Sequence, residues 1–170
     1  MKKIIIVLFI VMCLLLFSKK DTNNVIIPKD AIRFRIIANS NKIEDQKTKL
    51  DLKTDLEPII NNILSTSKDI NETRENIKGN LNEIKSTIEK YDSNYKINFG
   101  SNYFPEKNYK GVTYKAGNYE SLVITLGNGL GDNWWCVLFP PLCLLEAKEE
   151  DYDDYTYSFF IKEILNNNSK

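Results

Sequence analysis

The chain has 170 residues, with Lys plus Arg and Asp plus Glu both totalling 23, so the formal net charge is zero. Without a basic excess, nucleic acid is not expected as a partner, because phosphate neutralisation dominates such binding. There is no histidine and there are only three cysteines, one of them inside the first twenty residues. Those absences remove Ser-His-Asp triads, Cys-His pairs, HExxH sites and four-ligand Cys/His zinc sites, so no catalytic residue, cofactor or metal ligand is assigned.

The first twenty residues, MKKIIIVLFIVMCLLLFSKK, place two lysines ahead of an unbroken apolar run over residues 4–17. A run that short suits a signal peptide better than a full membrane span, which needs about 20 apolar residues. No small-x-small cleavage site follows, so residues 1–20 are read as a signal peptide or a retained signal anchor. Cys13 lies within the run rather than at its end, which sets a lipoprotein reading aside. Residues 21–30 form a linker, 31–145 a single domain, and 146–170 an acidic tail with a short amphipathic helix.

Residues 31–38 alternate, with Ile32, Phe34 and Ile36 on one face and Arg33, Arg35 and Ile37 on the other, which predicts a strand with one buried face. Asn39, Ser40 and Asn41 then offer N-cap chemistry for a helix reaching about Leu64, with Leu52, Leu56, Ile59, Ile60 and Ile63 at helical spacing. Pro58 is expected to kink or interrupt it. Asp69 followed by Glu72 resembles a capping box, and Ile77, Leu81, Ile84, Ile88 and Tyr91 define the apolar stripe of a second helix.

From Tyr95 the pattern turns to strands, at 96–99, 119–126 and 134–139. The last, WWCVLF, is continuously apolar and suited to burial on both faces. The glycine-rich segment 127–131 reads as a tight turn needing positive φ, since it lacks GxGxxG spacing and leads into a strand. The fold class is therefore α/β of the α+β type. A small mixed sheet is covered by two helices in the order strand, helix, helix, strands, with an N-terminal signal or anchor helix ahead. The first strand joins the later ones by a helical crossover.

On a strand Trp134 and Trp135 must point to opposite faces. They either fill two layers of the core or leave one ring at a partner surface. Cys136 and Cys143 either form a disulfide, with Pro140-Pro141 making the bend and a contribution of roughly 2.5 kcal/mol, or remain buried thiols. Glu44 and Asp45 favour the first helical turn through its dipole.

Several strings carry a resemblance. They are RFRIIANSN at 33–41, Glu44-Asp45-Gln46 with Lys49, Tyr103-Phe104-Pro105, AGNYESL at 116–122 and NWWCVLFPPLC at 133–143. Together, over residues 32–143, they resemble the stage II sporulation protein R family of endospore-forming bacteria. Members often carry an acidic residue near Asn41, and the tail after Glu146 is idiosyncratic. The resemblance implies an exported sporulation signal, not an enzyme, located in the intermembrane space between forespore and mother cell. There it would activate a membrane-embedded aspartic protease that processes the precursor of the early mother-cell sigma factor. Membrane contact would come only through residues 1–20 if uncleaved. Candidate partner-binding residues are Asn39, Ser40, Glu44, Asp45, Trp134 and Trp135. The alternatives are an exported carboxylate-dependent cell-wall hydrolase and a structural envelope or coat component.

Overall fold

The alternating stretch builds β2 (Ile32–Ile37), the centre of the molecule in a computed structural model that describes residues 25–26, 30–109, 112–143 and 163–164. The segments expected at 1–20, over most of 21–30 and, apart from residues 163–164, over 146–170 lie outside the described residues. The remaining elements are β1 (Val25–Ile26), α1 (Ile43–Thr66), α2 (Ile70–Ile88), β3 (Tyr95–Phe104), β4 (Lys107–Tyr109), β5 (Val112–Tyr114), β6 (Gly117–Leu126) and β7 (Asn133–Phe139). A four-stranded sheet has the order β3-β6-β2-β7, and a smaller one the order β1-β5-β4. β2 is parallel to β6 and antiparallel to β7, while β3 runs antiparallel to β6. A parallel neighbour requires a crossover, and α1 and α2 lie within it.

The helices cover one face of this mixed sheet. Ile32, Phe34 and Ile36 of β2 meet Leu52, Leu56, Ile60 and Ile63 of α1, Ile77, Ile84 and Ile88 of α2, and Leu122, Ile124 and Leu126 of β6. Burying one such side chain stabilises by about 1.5–3 kcal/mol, so this α+β core is the main stabilising term. The opposite face is also closed. Phe104, Tyr119 and Val123 form a second cluster there with Ile37 and Trp135, and Tyr114 of the small sheet reaches the same layer.

Four local expectations need correction. α1 starts at Ile43 behind Lys42, which makes no side-chain cap, because Asn39, Ser40 and Asn41 are committed elsewhere. α1 also continues through Pro58. Pro58 and Thr54 are both exposed, so the carbonyl that loses its donor lies on the solvent side while Leu56, Ile59 and Ile60 stay buried. At α2 the Asp69 carboxylate accepts from the N–H groups of Asn71 at 2.7 Å and Glu72 at 2.9 Å. Glu72 reaches back to the Lys68 N–H at 2.8 Å, one residue beyond the expected box partner. β3 is far longer than the expected 96–99, since its register with β6 continues through Gly100, Ser101 and Asn102 to Phe104. Those residue types disfavour strands in isolation. Here the Asn102 amide donates to the Ser121 hydroxyl at 3.0 Å and holds the extension in place.

Two polar ties fix the helices. Arg74 of α2 grips Glu120 of β6 with two bonds, Nε to Oε1 at 2.6 Å and Nη2 to Oε2 at 2.8 Å. The bond from Arg74 lowers the Glu120 pKa, against the opposing effect of burial. Past the end of α2, the Tyr91 hydroxyl donates to Asp55 of α1 at 2.6 Å, and that bond pushes its pKa up to about 12. At the far edge Cys136 and Cys143 are joined as a disulfide with Cα atoms 5.5 Å apart. Strand β7 ends at Phe139, and the chain turns through Pro140 and Pro141, with the Leu142 N–H donating to the Pro140 carbonyl at 2.7 Å.

A depressed folded pKa means that the Glu120 contribution is complete above the unfolded glutamate value of about 4.3 and is lost as pH falls through the folded value. Glu120→Gln should lower stability by about 1 kcal/mol at neutral pH, a figure reduced for the part-exposed setting. Urea unfolding should show the two proteins converging in strong acid. An equal difference at both pH values would contradict the assignment.

Candidate functional site

At the end of β2 the chain turns into α1, and the β6–β7 turn folds against that corner. The Leu130 N–H donates to the Asn39 carbonyl at 3.0 Å and the Gly131 N–H to the Ala38 carbonyl at 2.9 Å. Gly127 and Gly129 have φ of 51° and 65°, so the expected positive-φ turn is present. The approach leaves no room for side chains. A Cβ on Gly127 would stand 2.3 Å from Asn39 Oδ1, and one on Gly131 2.3 Å from the Ser40 carbonyl oxygen. At Gly127 only glycine permits both the backbone conformation and the contact, and at Gly131 the contact alone requires it.

Side chains then lock the two segments together. Asn39 Oδ1 accepts from the Asn128 N–H at 2.9 Å, and its Nδ2 donates to Asp45 at 3.1 Å. The Ser40 hydroxyl donates to the same Asp45 oxygen. Asn41 Oδ1 accepts from the Asp132 N–H at 2.7 Å. From α1, Gln46 donates to the Ser40 carbonyl at 2.9 Å and accepts from Lys49 at 2.6 Å. Lys49 also donates to the Asp132 carbonyl at 3.0 Å, although it is buried. Burial lowers its pKa, opposed by the Asp132 carboxylate, and the Lys107 charge lowers it further. The carbonyl and amide acceptors let the ammonium stay charged in this setting.

Trp134 and Trp135 pair with Ile36 and Arg35, close to the corner but on opposite faces of the sheet. Trp134 packs edge-on against Phe34 at 5.5 Å on the helix side, with the Lys53 ammonium 5.7 Å from its ring. The recess beside it holds about 20 Å³, room for one water rather than a ligand. Trp135 packs edge-on against Phe104 at 5.2 Å in the second layer. Both rings are half-buried, each in its own layer.

That second layer holds two cations. The Arg33 guanidinium carbon lies 3.4 Å from the Tyr119 ring centroid and 5.3 Å from that of Phe104. Its three nitrogens are buried without a hydrogen-bond partner, and its pKa is lowered by that desolvation. Arg35 stacks at 4.7 Å from the Phe104 ring. Aromatic faces take the place of an anion, since a ring quadrupole attracts a desolvated cation. The alternation placed both arginines on the more open face, whereas Arg33 is 1% exposed. The signal available in sequence was the set of aromatics at Phe104, Tyr114, Tyr119 and Trp135, whose convergence depends on strand order.

The structure thus brings Asn39, Ser40 and Asp45 into one network, leaves Glu44 exposed outside it, and keeps Trp134 and Trp135 in separate layers. Among the described residues no group of His, Cys, Asp or Glu is arranged to hold a metal.

Comparison with known proteins meets the same residues. The sequence profile described as stage II sporulation protein R matches residues 28–149, which contain the corner, the glycine turn and the tryptophan pair. The chain belongs to the stage II sporulation protein R family. Stage II sporulation protein R of Bacillus subtilis strain 168 is 43% identical over 135 residues, covering 76% of this chain and 60% of that relative. The match therefore spans about three-fifths of the relative's length. No solved structure matches the chain. Within this family member, the roles of Lys49 and Arg33 were not apparent from sequence, because each depends on a partner distant along the chain.

Gly131→Ala should cost about 1–3 kcal/mol by forcing the turn off the Ser40 carbonyl. Asn39→Ala should cost about 0.5–1.5 kcal/mol through the loss of its bonds to the Asn128 N–H and to Asp45. Glu44→Ala should stay within about 0.5 kcal/mol. Urea midpoints of the three variants check this ordering, and a glycine variant as stable as the wild type would contradict it.

Proposed function

We propose that this chain is an exported sporulation signal that acts in the space between forespore and mother cell. Its target is a membrane-embedded aspartic protease, which it activates to cleave the precursor of the early mother-cell sigma factor. The protease does the chemistry and this chain supplies the contact. The observation that carries the reading is the family match across residues 28–149, which includes the whole corner.

Three physical points support it. The polar groups of the corner are spent on one another, which makes a stiff surface rather than a reactive cleft. Among the described residues the carboxylate with a displaced titration, Glu120, moves down in pKa, opposite to what a carboxylic acid catalyst needs. The Cys136–Cys143 disulfide suits an oxidising space outside the cytoplasm. Residues 1–20 would deliver the domain there and tether it if they are retained. Among the described residues no helix is long and apolar enough to cross a membrane.

Asp45 is part of the internal network, so reversing its charge would disturb the corner itself; Glu44 alone is free to be tested as a contact. The test of the activity is reconstitution. This chain, the protease and the sigma-factor precursor are produced together in a non-sporulating host. The precursor should be cleaved only when all are present. Equal cleavage without this chain would sink the proposal.

A further inference from the structure

The main sheet has two outer edges, one at β3 and one at β7. An outer edge carries a row of unpaired N–H and C=O groups, which proteins ordinarily blunt with shortness, charge, proline or a bulge. β7 is blunted. It has seven residues, its register with β2 shifts between Ile32 and Arg33, and it runs into Pro140 and Pro141 with the disulfide tying its end. β3 is not. Its ten residues, YKINFGSNYF, keep an unbroken register with β6 from Tyr95 to Phe104 and carry a single charge, Lys96 near the start.

The hydrogen-bond pattern fixes which groups face outward. The Gly127 N–H donates to the Asn94 carbonyl at 2.7 Å, so this opposed pair is one that exchanges bonds. Exchange recurs at every second residue, and Lys96, Asn98, Gly100, Asn102 and Phe104 therefore point their main-chain groups at β6. The N–H and C=O groups of Tyr95, Ile97, Phe99, Ser101 and Tyr103 point away from it. Among the described residues no strand pairs with that side. Ser101 is exposed and Tyr103 is 61% exposed, so the far half of the edge is open to solvent.

We infer that β3 is a dimer edge, pairing antiparallel with β3 of a second copy and joining two four-stranded sheets into one of eight strands. The sequence of the strand selects this occupant. Two identical strands related by a two-fold axis pair residue i with j and j with i. Centred on Phe99, that register pairs all five outward residues, Tyr95 with Tyr103, Ile97 with Ser101 and Phe99 with its own copy. A centre at Gly100 would set Tyr95 against Pro105, which has no N–H, and one at Asn98 would set Tyr103 against Ser93, outside the strand. In the Phe99 register aromatic rings meet across the axis on the helix-covered face, where Tyr95, Ile97 and Phe99 already pack. On the other face Lys96 lies opposite Asn102 and Asn98 opposite Gly100. The two Lys96 residues are then about 20 Å apart along the strands, well beyond the screening length of roughly 8 Å. An arbitrary extended segment would satisfy the main-chain groups but not this side-chain pattern. Ten residues a side is fewer than the roughly 20–30 of a standard interface, so the dimer is reversible rather than obligate.

Sedimentation of the full chain at rising concentration should show a monomer–dimer equilibrium with a dissociation constant below about 1 mM. Ser101→Pro removes an outward N–H and leaves every bond to β6 in place, so circular dichroism should match the wild type. It should weaken dimerisation by at least about tenfold. Tyr103→Ala, at an exposed position, should weaken it several-fold and decides the matter if the proline disturbs the strand. Under mild oxidation Phe99→Cys should cross-link to its copy, whereas Ser101→Cys, held about 13 Å from its counterpart, should not. A wild-type chain that stays monomeric up to about 1 mM would overturn the dimer edge. So would a dimer that Ser101→Pro and Tyr103→Ala both leave intact. Cross-linking of Ser101→Cys in place of Phe99→Cys would overturn the register. A monomeric wild type whose precursor processing is lost in a folded Ser101→Pro variant would overturn the second copy in favour of an extended segment of the protease.

Discussion

The side-chain amide of Asn39 is the contact on which the arrangement of the domain turns. It accepts from the β6–β7 turn and donates to α1, so one residue joins the end of the central strand to both neighbouring units. Without it, the Asn128 N–H and the Asp45 carboxylate would each lose a partner, and the glycine turn would be left with its backbone bonds to Asn39 and Ala38 and its bond to Asn41. Ser40, Asn41, Gln46 and Lys49 extend the same network rather than forming separate ones.

The central strand explains the remainder of the architecture. β2 has sheet neighbours on both sides and layers on both faces, yet it carries Arg33 and Arg35 on one of those faces. An apolar layer of helices covers Ile32, Phe34 and Ile36, and an aromatic layer covers the arginines. The small second sheet gains its place from this requirement, because its Tyr114 and Lys107 face the layer that holds the two cations and Trp135. The same division separates Trp134 from Trp135, which stand one residue apart and belong to different clusters.

Much of this was legible in the sequence where a period carried the information. The alternation of β2, the stripe of α2, the Asp69 cap and the positive-φ glycines follow from local rules, and so does the opposition of the two tryptophans. The grouping of Asn39, Ser40 and Asp45 was legible as a location, though Asn39 and Ser40 were read as helix caps and Asp45 only as a complement to the helix dipole. In the folded chain the hydroxyl and amide have a better acceptor in Asp45, and α1 begins without a side-chain cap. What stayed hidden depends on strand order and long-range approach. The length of β3, the burial of Arg33 and the contact of Lys49 with Asp132 each need a partner tens of residues away. The exposure of Ile43 was hidden too, since an apolar residue beside a helical stripe gives no sign that its side of the helix is open.

The central claim is that the corner is a single rigid unit, and amide hydrogen exchange at Asn128 and Asp132 tests it most directly. Both N–H groups lie in an otherwise exposed turn and are held by the side chains of Asn39 and Asn41. Protection of both amides in the wild type is predicted, with Asn39→Ala releasing both together while core amides of β6 remain protected. Exchange of Asn128 and Asp132 at the rate of a free loop in the wild-type protein would contradict the account.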